Sequence, residues 1–563
     1  MRESLKKVIA GALAKTGISG VNDVSLEHPA DLKNGDYSSG VALQYGKQAG
    51  VAPRALAEKI VTSIGEVEGV AKIEVAGPGF INFYLTPGAL AASIENARAE
   101  DMPALRSLGV GGHGSNANLA GKTIMVEYTD PNPFKEFHIG HLMSNAIGES
   151  IARLLQFSGA KVIRANYQGD VGPHVAKAVW GVMKLGADSH DSAQLGKAYA
   201  TGAQAYESDE AAKGEIDVIN AKVYDKSDSS VNEIYAAGRK ASLEHFEELY
   251  TLLGTKFDHY FFESETAPRG IELIKKNESV FEKSDGAIVY KGEGEGLHTR
   301  VFVTSKGLPT YETKDLGLAL MKMELYELDQ SITITAHEQS DYFKVVLAAM
   351  RKVLPDVAPK IRHVAHGMMR FAEGKMSSRT GNVITGESLL LDLVESAKIR
   401  AAESRSDDHA KLAQDVAVAA IKYQILKQTS GKDIIFDRVR ALSLEGDSGP
   451  YLQYAYARTN AIAEKAKEQG VEAKIDENLA SDDLARMLHR FPEIVEYAAS
   501  LYEPHIVTSY LLEIASRFNS WYAQEQILDG TPKAAHKVAV VDAVRRTLKN
   551  GLWILGIPAP EKM

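Results

Sequence analysis

The chain has no cysteine. That excludes disulfides, thiolate metal sites and cysteine nucleophiles. It is compatible with a reducing compartment, and the cytoplasm is the expectation. Long apolar runs are missing too, since nothing approaches the roughly 18 consecutive apolar residues of a membrane helix. The opening stretch MRESLKKVIAGALAK is amphipathic, with Leu5, Val8, Ile9, Ala12 and Leu13 on one helical face. It has neither the uninterrupted apolar core nor the cleavage site of a signal peptide. Basic charge is in deficit: 64 Lys and Arg stand against 74 Asp and Glu, a net −10. A protein holding nucleic acid by bulk charge alone would be basic. If this one binds RNA, it must use local patches, and the binding should be salt-sensitive.

What is present is ordinary globular composition on a long chain, with 563 residues, 45% hydrophobic and 25% charged. That length predicts roughly three or four domains. Residues 1–108 read as a small α+β unit: helix, GDYSSGVALQYGKQAG, a second helix near 53–65, then AKIEVAGPGFINFYL as strand, Gly-Pro-Gly turn and strand. Residues 109–121 are glycine-rich and predict a linker. Gly121-Lys122-Thr123 mimics the end of a phosphate-binding loop, but Asn116 occupies the required earlier glycine position and the segment precedes its strand, which excludes it.

From 122 the pattern changes. KTIMVEY is an apolar strand and DPNP a turn. Ile139, Leu142, Met143, Ala146, Ile147, Ile151, Leu154 and Leu155 then repeat at helical spacing, and KVIRANY is the next strand. This β-α-β unit begins a parallel sheet. Further strand signals lie in AIVYKG, TRVFVTS, LPTYET, SITITAH and IRHVAHGMM. Residues 122–385 therefore predict a doubly wound α/β domain with a mostly helical insertion at about 182–300. Beyond 386 the period is helical, over 386–447 and 448–563.

Two segments carry chemistry. DPNPFKEFHIGHL (130–142) puts His138, Gly140 and His141 at a helix N-terminus, at the edge where open α/β sheets bind ligands. Free N–H groups and partial positive charge there suit phosphate. The two histidines are three apart and share a face. Gly140 removes a side chain between them, and Lys135 adds a cation. Without a third ligand in the segment, a metal site is the poorer reading. The bland alternative is a capped helix with two surface histidines. FAEGKMSSRTGNV (371–383) places Lys375, Ser377, Ser378 and Arg379 in a glycine-flanked loop after a strand. A lysine and two hydroxyls could clamp a triphosphate.

In this order and spacing, His138-Ile139-Gly140-His141 and Lys375-Met376-Ser377-Ser378-Arg379 resemble the two signatures of class I aminoacyl-tRNA synthetases. The second departs in its last two positions. EYTDPNPFKEFHIGHL, FDHYFFES, LPTYETKDLGLAL, GPYLQYAYAR, GLWILGIPAPEKM and the N-terminal GDY and PGFIN are similar to the arginyl-tRNA synthetase family over essentially the whole chain. The resemblance implies a Rossmann-like catalytic domain over 122–385, an N-terminal tRNA-corner domain over 1–108, a helical stem-contact region over 386–447 and an all-helical anticodon-binding domain over 448–563. It implies ATP with Mg²⁺, L-arginine and tRNA(Arg) as partners, and a monomer.

The same resemblance implies residue roles. His138, Gly140, His141, Lys375 and Met376 would hold ATP, and Ser377, Ser378 and Lys135 would assist with the phosphates. Asp315 and Tyr311 would take the guanidinium, with Glu127, Asn132, Glu263 and Gln339 around the rest of arginine. Gly169 and Asp170 would bound the site. Phe80 and Asn82 would meet the outer corner of the tRNA; Tyr454, Tyr522 and Met563 would meet the anticodon, with Tyr451 and Trp521 in the core. Arg545, Arg546 and Lys549 would offset the acidic net charge on the RNA-facing side. Competing readings are a synthetase for lysine or glutamate, a nucleotidylyltransferase, and a non-catalytic relative. The N-terminal unit, the helical C-terminal third, and the intact His138, His141 and Lys375 argue against them in turn.

Overall fold

Leu5, Ile9, Ala12 and Leu13 recur at helical spacing, and they are the residues that α1 (Arg2–Lys15) buries. The computed structural model describes residues 1–21, 23–99, 111–372, 384–480 and 482–563. The N-terminal unit continues through β1 (Tyr37–Ser39), α2 (Val41–Tyr45), α3 (Pro53–Ile64), β2 (Val70–Ala76), β3 (Phe80–Leu85) and α4 (Pro87–Arg98). Its antiparallel sheet has the order β1-β3-β2.

The central unit runs β4 (Thr123–Glu127), α5 (Ile139–Phe157), β5 (Lys161–Gln168), α6 (Pro173–Leu185), α7 (Ser192–Ser208), α8 (Glu210–Asp225), α9 (Ser229–Leu253), β6 (His259–Phe262) and α10 (Glu263–Lys276). It continues through β7 (Glu282–Ser284), β8 (Ala287–Tyr290), β9 (Arg300–Val303), α11 (Tyr311–Leu325), β10 (Gln330–Ala336), α12 (Ser340–Val353), β11 (Ile361–His366) and β12 (Met369–Phe371). Five strands form one parallel sheet in the order β11-β10-β4-β5-β6. The chain winds outward from β4 to one side, then returns to its other side with β10. The switch point lies between them, where such sheets leave a crevice at their carboxyl ends. The expected doubly wound α/β domain is present.

Three expectations need correction. The stretch 182–300 is not one insertion, because HYFF is β6, the edge strand paired with Ala165–Gln168. Helices α6–α9 fill the first excursion. The antiparallel sheet β7-β8-β9 forms a second one after α10. A four-residue strand carries too little alternation to stand out between long helices. LPTYET is not a strand either: one bridge joins Val303 to Pro309, and Tyr311 already opens α11. The linker packs where it is described. His113 is 7% exposed and bonds to the Leu488 carbonyl, and a Cβ on Gly114 would meet the Phe491 ring at 2.6 Å.

The C-terminal third comprises α13 (Gly386–Ala401), α14 (His409–Leu426), β13 (Ile434–Phe436), α15 (Arg438–Ala441), α16 (Gly449–Glu468), α17 (Asp483–Leu501), α18 (His505–Gln524) and α19 (Ala534–Ile554). The helical expectation holds, apart from β13, which pairs with β12. The N-terminal unit docks on α17 through Tyr37 to Glu493 at 2.5 Å and Arg486 to Asp36 at 2.6 Å. No helix among the described residues is long and apolar enough to cross a membrane.

Candidate active site

The turn from β4 into α5 is held open under strain. Thr129, Asp130 and Phe134 all have positive φ, at 79°, 46° and 68°. Side chains other than glycine rarely adopt this, least of all a β-branched one, and each instance costs about 1–3 kcal/mol. Hydrogen bonds from other elements hold it. The Thr129 N–H donates to Ser144 Oγ at 3.0 Å and the Phe134 N–H to Ser242 Oγ on α9 at 2.9 Å. Asp130 Oδ1 accepts the Tyr167 N–H at 2.7 Å. The Phe134 ring is buried in the core of the helical excursion, against Val175, Leu195 and Val231.

His138 caps α5, and its N–H donates to His141 Nδ1 at 3.2 Å. The two rings stack with centroids 3.4 Å apart. Gly140 has a different reason from the one its sequence context suggests: a Cβ there would lie 3.0 Å from the His138 ring. Desolvation, with His138 and Lys135 adding, holds His141 well below the usual histidine range. Desolvation and then Lys135 lower His138, which sits at the exposed rim. Both imidazoles are therefore neutral at neutral pH. The Lys135 ammonium stands 5.1 Å over the Tyr199 ring on α7, and its own pKa is lowered by burial and by Lys177. The start of α13 closes the floor, with the Gly386 N–H donating to the Phe137 carbonyl at 2.8 Å. Lys375, Met376, Ser377, Ser378 and Arg379 lie outside the described residues.

The amino-acid candidates gather at the carboxyl ends of the strands. Asn132 Oδ1 accepts the Gly169 N–H at 3.0 Å. A Cβ on Gly169 would strike Asn132 Oδ1 at 2.4 Å and come within 3.2 Å of Glu263 Oε1. So Asn132 and Glu263 converge at one point, and only glycine fits between them. Glu263 is 4% exposed and pairs with Lys314 Nζ at 2.5 Å. Burial raises its pKa, and Lys314 works against that. Glu127 ends β4 and pairs with Lys322 Nζ at 2.6 Å. Asp315 accepts the Tyr342 hydroxyl at 2.6 Å. Burial pushes its carboxyl up to about 7; Glu127 and Glu263 add to the rise, while Tyr342 and Lys322 oppose it. Tyr311 is exposed at the mouth, its ring 5.1 Å from the Lys314 ammonium. Gln339 is exposed beyond the end of β10. Asp170 does not face the crevice as a free group: Ser264, Tyr235 and Arg239 all donate to it, so it ties α9 to α10.

A family model described as tRNA synthetases class I (R), catalytic domain, matches residues 107–438. The chain belongs to the class I arginyl-tRNA synthetases. A model of the arginyl tRNA synthetase N terminal domain matches residues 3–85 of this synthetase, and one of the DALR anticodon binding domain matches 452–563. The arginine–tRNA ligase of Borreliella afzelii is 30% identical over 478 residues, covering 80% of this chain and 82% of its own length. That of Clostridium perfringens is 29% identical over 554 residues, 96% of each chain. The solved arginyl-tRNA synthetase of Thermus thermophilus superposes with a TM-score of 0.80 at 26% identity, and 100% of both chains is covered.

Far from the sheet, the synthetase has a cleft of about 780 Å³ between α13, α14, α16 and α18. Tyr454, Tyr522 and Met563 all line it, together with Arg400, Arg458 and Lys465. The Arg458 guanidinium lies 4.8 Å from the Tyr454 ring and 5.1 Å from the Tyr522 ring. Tyr451 and Trp521 pack against the core, as expected. Asn82 is 3% exposed, and its Oδ1 accepts the Ser38 hydroxyl, so only half-buried Phe80 of that pair is open to a ligand. Arg545 and Arg546 gather with Arg98 around Asp542, and Lys549 is exposed nearby on the same helix. Sequence reasoning missed Lys314 and Lys322. Lys314 adjoins Asp315, and Lys322 follows it by two helical turns; that spacing was the available signal.

Proposed function

We propose that this synthetase joins L-arginine to tRNA(Arg) in two steps. ATP and arginine give arginyl-adenylate and pyrophosphate. The arginyl group then passes to the 2′-hydroxyl of the terminal adenosine of the tRNA, and AMP leaves. The observation that carries the arginine assignment is the convergence of the carboxyl groups of buried Glu127 and Glu263 and half-buried Asp315 on the crevice that the histidine motif opens.

In this reading the phosphates of ATP lie at the N-terminus of α5, where the helix dipole and free N–H groups favour anions. His138 and His141 act as neutral hydrogen-bond donors. Lys135 supplies positive charge, and Lys375 with Ser377 and Ser378 adds to it as pyrophosphate departs. Such preorganised donors stabilise charge as it develops. The protein's work is mainly positioning. Asn132 and Glu263 receive the α-ammonium, while Asp315 and Tyr311 receive the guanidinium. A planar, bidentate guanidinium site discriminates against lysine by geometry. Buried acceptors left unpaired by a wrong amino acid add discrimination of about 10⁴-fold or more.

Mg²⁺ would enter with ATP. Among the described residues no group of three or more His, Asp or Glu side chains could hold a metal ion, so the nucleotide's phosphates would supply its ligands. Tyr454 and Tyr522 offer stacking platforms and Arg458 a cation to the anticodon, the way single-stranded loops are bound. Phe80 offers the same at the tRNA corner. We place the enzyme in the cytoplasm as a monomer. The test is ATP–pyrophosphate exchange with tRNA(Arg) present. Exchange with arginine and none with lysine or glutamate is expected; lysine-dependent exchange would defeat the assignment.

A further inference from the structure

Lys322 lies on α11 seven residues beyond Asp315, two turns along the same face. Its Nζ stands 2.6 Å from Glu127 Oε2, with both side chains 3% exposed, and it reaches Ser331 Oγ on β10 at 3.3 Å. Glu127, Asp315, Lys322 and Thr333 together bound a cavity of about 30 Å³ whose other wall is apolar, built from Phe343 and Met350. A buried lysine with no surface role therefore sits directly behind the groups assigned to the guanidinium.

The local charges make its role specific. Four carboxyl groups face this region: Glu127, Asp130, Glu263 and Asp315. Glu263 is committed to Lys314. Asp130 is taken up by the turn itself, its Oδ1 accepting the Tyr167 N–H, and burial, then Glu127, push its carboxyl up from the usual range. Glu127 and Asp315 remain, two acids for one guanidinium. Like charges in a dry pocket oppose each other's ionisation, and an unpaired buried charge is costly.

We propose that Lys322 is a specificity-determining counter-ion of the arginine pocket: it neutralises and fixes Glu127 from behind, leaving Asp315 as the single uncompensated carboxylate and the pocket one positive charge short of neutral. The inference rests on the assignment of Asp315 to the guanidinium. One net negative charge matches arginine and leaves a neutral ureido side chain, as in citrulline, without a countercharge. Asp315 is faced by the Tyr342 hydroxyl from α12, Tyr167 from β5, Glu127 from β4, Asp130 from the turn after it, Glu263 from α10 and Lys322 from its own helix. Removing the one cation among them raises the pH at which Asp315 ionises; removing Glu127 lowers it.

The experiment is steady-state exchange with tRNA(Arg) saturating, for the unaltered chain, Lys322→Met, Lys322→Arg and Glu127→Gln, with arginine and citrulline across the neutral pH range. Lys322→Met should raise the arginine KM by about 10- to 100-fold, the scale of one interaction with a charged group. The ATP KM should stay within about twofold, and the preference for arginine over citrulline should narrow. Its acid limb in kcat/KM for arginine should move to higher pH, and Lys322→Arg should restore both. Glu127→Gln should move that limb to lower pH, which decides the matter even if Lys322→Met fails to fold. Unmoved limbs, or ATP KM, arginine KM and kcat shifting together alongside a lowered Tm, would overturn the proposal in favour of a packing role. Absence of arginine-dependent exchange in the unaltered chain would instead overturn the assigned reaction.

Discussion

The proposed arginine pocket and the C-terminal cleft use charge in opposite ways. In the pocket, Glu127, Glu263, Lys314 and Lys322 are each under a tenth exposed and already paired. In the cleft, two tyrosines share an arginine around about 780 Å³ of open space. A small cation can be enclosed, so its site is made selective by burial and by a counted set of charges. A long polyanion cannot be enclosed. Its site gains affinity from stacking and from salt-dependent attraction. A net charge of −10 is compatible with an RNA partner when basic groups are gathered locally, as Arg400, Arg458 and Lys465 are along the cleft.

That contrast can be broken in several ways. The largest effect should come from the phosphate end of the crevice. His138→Ala should lower kcat by about 10²–10³, roughly 3–4 kcal/mol, in single-turnover adenylate formation. A near-normal rate would reduce the motif to a helix entry. Asp315→Asn should raise the arginine KM by about 1.5–3 kcal/mol and leave the Kd for tRNA unchanged; a matching loss of tRNA affinity would merge the two regions. Tyr454→Ala or Tyr522→Ala should weaken tRNA by about 1–3 kcal/mol, with the arginine KM at saturating tRNA unmoved, as gel-shift and exchange assays together would reveal.

The smallest test is pH. The Asp315 carboxyl is pushed up to about 7 in the free enzyme. A proton and a guanidinium compete for it, so arginine affinity is complete above that pH and falls by roughly tenfold per unit below it. Calorimetric titration of arginine at successive pH values should show this, and flat binding would remove Asp315 from the guanidinium.

Much of the catalytic domain was legible in the chain because period and punctuation agree there. KTIMVEY, the DPNP turn and the helical repeat from Ile139 onward point to one β-α-β unit, and β4, α5 and β5 form it. Asn132, Glu263 and Gly169 meet as one cluster, although nothing in their spacing says that a Cβ on Gly169 would collide with both partners. Lys322 stayed invisible, since a lysine on a helix ordinarily reads as a solvated face, and only tertiary packing reverses that. β6 was hidden by its length. The linker misled because glycine-rich composition predicts freedom, whereas Gly114, at a φ of 90°, serves close packing against Phe491. The loop of Lys375 lies outside the described residues, so its reading still rests on sequence alone.

The strained turn at Thr129–Phe134 has a further consequence for how mutations would map onto this enzyme. Its backbone depends on two buried hydroxyls, Ser144 on α5 and Ser242 on α9. Ser242 belongs to the helical excursion, which can look like an optional appendage. A hydroxyl lost there would relax Phe134 and shift Lys135 and Asn132 with it. Inactivating substitutions should therefore be found at serines remote from the ligands, and trimming the excursion would disable a catalytic turn some hundred residues earlier in the chain.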